Sequence, residues 1–214
     1  MNEGLFIVLE GIEGAGKSTQ ASHLLDWMRE QGIRSSLARE PGGTAVGEAI
    51  REIVLDKGSL IMPPETELFL ILAARAAFVR EVVGPALARG EVFVADRFDL
   101  STFAYQGFGR GLELDAVRRA NNLATGGLHP NLYLVLDLPV QSGLARKGEA
   151  GPEDRIEREG VAFLSRVREG YKTLASTEPR VRSVDADAPA EEVQAAIREL
   201  LVRTFPETFR GRGV

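Results

Sequence analysis

Residues 5–24 constrain the fold more than any other stretch. Leu5-Phe6-Ile7-Val8-Leu9 is a short, wholly apolar run of strand formers, and Gly11-Ile12-Glu13-Gly14-Ala15-Gly16-Lys17-Ser18 follows it as a full match to GxxxxGK[ST]. Leu24, Leu25 and Met28 then recur at helical spacing, so the glycines sit between a buried strand and a helix N-terminus. Glycine permits backbone conformations that a side chain forbids, which lets successive N–H groups turn into one concavity and bind phosphate oxygens. The helix dipole adds positive potential at the same place. Lys17 supplies a mobile cation for β- and γ-phosphates, and the Ser18 hydroxyl can ligate magnesium. A Gly-rich turn arising by chance is the alternative, and the flanking strand and helix argue against it.

Four more strand-like segments alternate with helical patterns: 34–39, 92–96, 132–137 and 181–185. This alternation predicts an α/β fold with a five-stranded parallel sheet and helices on both faces. In such sheets ligands bind beyond the carboxyl ends of the strands. At 214 residues the chain suits one domain, numbered 1–214, and its longest apolar stretch, Leu68 to Ala74, is too short to span a membrane. The start of the chain lacks a basic segment ahead of a secretory core, so a cytoplasmic protein with no membrane partner is expected. A net charge of −5 argues against binding nucleic acid through a general basic surface. With no cysteine and two histidines far apart, any metal must be held by oxygen.

Several charged residues follow strands. Arg39 opens the turn Glu40-Pro41-Gly42-Gly43-Thr44 and is either a surface arginine or a group reaching an anionic substrate. Asp96-Arg97-Phe98 closes the third strand beside the glycine loop, with Ser101, Thr102, Tyr105 and Gln106 next at spacings compatible with one helical face. An aspartate there can hold magnesium through water or orient an attacking oxygen, and the arginine can bridge phosphates; a structural Asp–Arg pair is the bland reading. Pro63-Pro64 opens a helical pattern through about Arg80, in which Arg75 lies on an apolar face and either snorkels to solvent or reads a base edge with its fork of donors. Residues 146–158, with Gly148, Gly151 and Pro152 between basic ends, form either a solvated charged hairpin or a mobile lid. The tail from Phe205 reads as frayed.

Five motifs in this order, the glycine loop, Arg39 to Thr44, Ala73-Ala74-Arg75, Asp96-Arg97-Phe98 with Ser101 to Gln106, and Asp154-Arg155-Ile156-Glu157, resemble the bacterial form of thymidylate kinase from Leu5 to about Leu201. The resemblance implies a three-layer P-loop nucleoside monophosphate kinase fold. It also implies transfer of the γ-phosphoryl of ATP to thymidine 5′-monophosphate (dTMP) with Mg2+, giving the diphosphate used for DNA synthesis. By similarity Gly11, Ile12, Glu13, Gly14, Ala15, Gly16, Lys17, Ser18 and Thr19 hold ATP, and Ser18, Glu13 and Asp96 stand near magnesium. Lys17 and Arg97 would be catalytic, Arg97 by spanning donor and acceptor phosphates. Arg39, Ile71, Arg75, Arg97, Ser101, Thr102, Tyr105 and Gln106 would bind the substrate, with Arg75 and Thr102 at the base and Tyr105 disfavouring a ribose 2′-hydroxyl. One branch of the family carries an arginine inside the P-loop where this chain has Gly14, so Arg146 and Arg155 of the lid are expected to bring the missing charge. The family usually has a phenylalanine where Ile71 stands, stacking on thymine, and Phe69 is about 120° round the helix from the base-reading face. The family is typically a homodimer through helices on one sheet face. Another small P-loop kinase, or a regulatory P-loop ATPase, remains the rival reading.

Overall fold

The computed structural model describes residues 4–58, 60–147 and 154–209. The five expected strands form: β1 (Leu5–Glu10), β2 (Ser35–Arg39), β3 (Val92–Asp96), β4 (Leu132–Asp137) and β5 (Val181–Asp185). They pair in parallel in the order β2-β3-β1-β4-β5. β1, the most apolar strand, lies at the centre, where both of its faces are covered.

Side chains alternate across the strands, and each face has its own core. Phe6 and Val8 of β1 with Phe93 and Tyr133 pack against Phe78, Phe98, Phe163 and Tyr171. Those partners come from α3 (Pro64–Phe78), from the loop after β3 and from the long α8 (Gly160–Thr177). Ile7 and Leu9 with Val94 and Leu134 face the other way, against Leu24, Trp27, Val193 and Ile197. These lie on α1 (Lys17–Glu30) and α9 (Ala190–Thr204), so the chain is a sheet between two helical layers, as expected. α2 (Ala45–Val54) and α6 (Leu114–Thr125) complete the side that faces α3.

Two expectations are corrected here. The helix begun at Pro64 does not end near Arg80: it passes through a π-helical turn, Val79–Val83, and continues as α4 (Gly84–Ala88). Gly84-Pro85 reads as a stop, but the wider turn lets the Gly84 N–H reach Val79 O and carries the helix past the proline. The tail is also more ordered than its composition suggests. After α5 (Asp99–Thr102) and α7 (Val140–Lys147), the last element is α10 (Pro206–Phe209), whose Phe209 is buried and stacks on Trp27 with ring centroids 5.5 Å apart. Residues 148–153 of the expected lid and 210–214 of the tail lie outside the described residues.

Candidate active site

Every strand points its carboxyl end at the same edge of the sheet, and the glycine loop leaves that edge from β1. Gly11, Gly14 and Gly16 have φ of 140°, 75° and 86°, conformations that side chains rarely adopt. Space excludes a side chain at Gly14 as well, because a Cβ there would lie 2.2 Å from Gly143 O on α7. The absence of an arginine at this point in the loop therefore follows from the packing of α7. Lys17 donates to Ile12 O at 2.8 Å. Burial, and then the nearby Arg97, push its ammonium down to about 7.

The loop borders a cavity of about 380 Å3 also lined by Arg39, Asp96 and Arg97. Ser18 Oγ donates to Asp96 Oδ2 at 2.5 Å, which brings a hydroxyl and a carboxylate together as hard oxygen donors beside Glu13. Among the described residues no cluster of three His, Cys, Asp or Glu could hold a metal alone. Such a sparse oxygen set fits magnesium, which takes one or two protein ligands and fills the remainder with phosphates and water.

Arg97 follows β3 with φ 74°, the single non-glycine residue with positive φ among those described. Its backbone N–H bonds Leu9 O, and Glu10 Oε1 accepts from Phe98 N at 2.9 Å, so β1 locks the turn from both sides. Glu10 is fully buried and also accepts from Ser101 N, Ser101 Oγ and Tyr171 OH. Burial raises its carboxyl, and these donors offset part of that cost. The Arg97 guanidinium donates from Nη1 to Gly11 O and Ser101 Oγ, and from Nη2 to Tyr105 OH at 3.3 Å. It also lies over the Tyr105 ring, 5.1 Å from its centroid.

A second cavity, about 150 Å3, opens on the other side of Arg97 and is lined by Ile71, Arg75, Ser101, Thr102, Tyr105 and Gln106 among others. All six were expected at a substrate from sequence. Arg75 is 1% exposed and does not snorkel. Its Nε and Nη2 donate to Glu40, Nη1 to Thr102 Oγ1 and Asn121 Oδ1 (both 2.8 Å), and Nη2 also to Phe98 O. All five guanidinium N–H groups thus have protein acceptors, a correction to the picture of an open fork awaiting a base. Burial pushes Glu40 up to about 7 against the pull of Arg75. Ile71 stands at the cavity wall with Val54 and shares a core cluster with Ile50, whereas Phe69 is 64% exposed and does not line the cavity.

Two arginines depart from expectation. Arg146 donates to Ala186 O at 2.7 Å, after β5, and Arg155 is buried with its Nε on Val54 O and its Nη2 paired with Glu67. The structure does not bring either to the phosphate cavity, because nearer acceptors take their donors. Arg51, unflagged in the sequence because it sits on a plain amphipathic helix, does line both cavities, as do Glu13, Glu40 and Arg97. It is half-buried and donates to Pro41 O at 3.0 Å. Burial, then Arg39 and Arg97, lower its pKa from the ordinary value. Glu10 was equally unmarked, its only signal being a carboxylate closing a wholly apolar run.

The chain resembles known proteins in sequence and in fold. The thymidylate kinase family model matches residues 9–197. A thymidylate kinase of Pseudomonas fluorescens strain SBW25 is 50% identical over 209 residues, covering 97% of this chain and 99% of that protein. One from Desulforudis audaxviator is 50% identical over 204 residues, covering 92% of each. In fold, a crystal structure of thymidylate kinase from Ehrlichia chaffeensis superposes with a TM-score of 0.77 at 24% identity, over 93% of this chain and 99% of that one. With a family match over residues 9–197 and relatives half identical over more than nine-tenths of its length, the chain belongs to the thymidylate kinase family.

Proposed function

We propose that this protein transfers the γ-phosphoryl group of ATP to dTMP, giving ADP and dTDP, as a single catalytic domain. The observation that carries this reading is the junction: Arg97, Arg51, Glu13 and Glu40 line both cavities, so an anion bound in either meets the same two guanidinium groups. Phosphates on the glycine loop take backbone N–H groups and Lys17, and an acceptor phosphate arriving from the second cavity lies against Arg97 and Arg51. The acceptor is already an anionic nucleophile, so the residues align and neutralise and no general base is needed. Ser18 and Asp96, with Glu13 nearby, would hold magnesium, which would supply charge neutralisation to the phosphates. Arg39, exposed and paired with Glu48 at 3.0 Å, stands at the mouth of the phosphate cavity as a mobile cation. Arg146 and Arg155, as placed, take no part in the transfer.

The test is ADP release in a coupled assay with a panel of monophosphates and thymidine. Preference for dTMP supports the reading; preference for UMP or CMP, or ATP hydrolysis without an acceptor, overturns it. We further infer a cytoplasmic homodimer. Its support is ATP dependence together with large apolar side chains on the contacting helices α3 and α6, where Phe69 is 64% and Leu123 83% exposed. Light scattering on the purified protein checks the dimer: a monomer at micromolar concentration refutes it. No helix among the described residues is long and apolar enough to cross a membrane.

A further inference from the structure

The second cavity carries two neutral side chains whose hydrogen-bonding polarity is set from behind by buried ions. Gln106 is 1% exposed, and its Nε2 donates to Glu67 Oε1 at 2.7 Å. An ionised carboxylate only accepts, so the amide must turn its NH2 to Glu67, which leaves the carbonyl oxygen for the cavity that Gln106 lines. The hydroxyl of Thr102, four residues earlier on the same helical run, accepts from Arg75 Nη1 and makes no other hydrogen bond among the described residues. Its hydroxyl proton is left to donate.

Glu67 cannot turn away. It is fully buried, its Oε1 also accepts from Arg110 Nε at 3.2 Å, and its Oε2 takes Arg110 Nη2 at 3.0 Å and the Arg155 guanidinium. Burial pushes the carboxyl up, but the hydrogen bonds from Arg110 and Gln106 and the charges of Arg110 and Arg155 outweigh it and hold the group below its ordinary range. Glu67 is therefore ionised at neutral pH and holds Gln106 in one orientation.

We propose that Glu67 is a specificity-determining positioning residue: by fixing the Gln106 amide, it makes the cavity complementary to a pyrimidine with a 4-carbonyl and an N3–H, and hostile to a 4-amino pyrimidine with a bare N3. This rests on reading the cavity as the dTMP site. With a 4-keto base, the Gln106 carbonyl accepts from N3–H and the Thr102 hydroxyl donates to O4. With a 4-amino base, the Gln106 carbonyl faces the N3 lone pair, and the mismatch leaves two buried acceptors opposed. The Thr102 hydroxyl keeps a second lone pair that an amino group can use, so the discrimination rests chiefly on Gln106. Arg155 and Arg110 gain a role by the same argument, as the counter-ions that keep Glu67 charged.

The experiment compares kcat/KM for dTMP with that for 5-methyl-dCMP, which keeps the methyl, sugar and phosphate and changes only the 4-substituent and N3. The wild-type protein should prefer dTMP by at least about a hundredfold. In Glu67→Gln the neighbouring amide can present either group, Gln106 is free to flip, and the preference should fall by about tenfold or more. The loss should fall on KM for dTMP rather than on KM for ATP. Gln106→Met removes the reading group and leaves the ion cluster intact, so it decides the matter if Glu67→Gln does not fold; the same collapse of preference is expected. An unchanged ratio in either folded variant overturns the proposal. No ADP release with dTMP in the wild type would defeat the function itself, whereas equal turnover of dTMP and 5-methyl-dCMP would defeat only this inference.

Discussion

The two cavities that meet at Arg97 are built by opposite means. One wall of the glycine-loop cavity is made of neighbours in sequence: three glycines with positive φ, a helix N-terminus, and Lys17 resting on the backbone of Ile12. The second cavity is lined by one buried ion pair, Glu40 with Arg75, and backed by another group of buried ions, Glu67 with Arg110 and Arg155, all from distant parts of the chain. The ligands differ in the same way. A phosphate chain brings its own charge and needs donors and a mobile cation. A neutral base needs neutral groups held in one orientation, and buried ion pairs supply that orientation at a desolvation cost. The glycine-loop side therefore carries, in Lys17, an amine that pairs with no carboxylate among the described residues, whereas Glu40 and Arg75 of the second cavity are already paired.

Substitutions sharpen or break this contrast. The largest effect on turnover is expected for Arg97→Ala, or for Lys17→Ala. Either should lower kcat by about a thousandfold or more, since each removes a cation from the developing charge. Near-normal ADP release in either folded variant would sink the assigned roles. On the base side the largest effect is on stability instead. Arg75→Met leaves Glu40 buried without its partner and should cost about 3–5 kcal/mol in urea unfolding. A loss under about 1 kcal/mol would mean that the pair is not the keystone its burial implies.

Protonation separates the sides next. Lys17 in the folded protein titrates near 7, below its ordinary value of 10.5. Its contribution to stability is thus complete above about 10.5 and is lost as pH falls from there to about 7, with no further loss below. Lys17→Met should therefore be more stable than the ligand-free wild type at pH 8 but not at pH 11, as thermal melts would register. ATP restores the charge, so binding at pH 8 should take up a proton, with little uptake at pH 6 and none in Lys17→Met. Calorimetry in buffers of different ionisation enthalpy measures this, and dTMP binding should show no comparable uptake from Lys17. The smallest effect is expected for Arg39→Ala, whose exposed pair with Glu48 contributes about 0.5 kcal/mol or less. Its consequence should appear as a several-fold rise in KM with the melting temperature unchanged.

The strands were legible nearly to the residue because each short segment, apolar or β-branched at its centre, is set between helical patterns in a regular alternation. The glycine loop, Asp96 and Arg97 were legible for a related reason: in a parallel sheet whatever follows a strand lands at the ligand edge. Arg146 and Arg155 were not. A basic residue near a flexible segment has several acceptors within reach, and which one it meets depends on where α3 and β5 place Glu67 and Ala186. The roles of Glu10 and Arg51 were hidden for a similar cause, since their partners come from other elements. Phe209 was hidden among polar letters, and only its contact with Trp27 reveals a docked end.

What the sequence determined by itself is everything set by local periodicity and steric rules: five parallel strands, a loop that only glycine can shape, and a cation and hydroxyl delivered to it by the first helical turn. Tertiary structure decided which buried charges face one another. That choice saturates Arg75, turns Gln106 and holds Arg97 in a strained conformation. The physical reason is range. Backbone geometry is settled within a few residues, whereas the energy of a buried ion depends on partners that only folding brings within hydrogen-bonding distance.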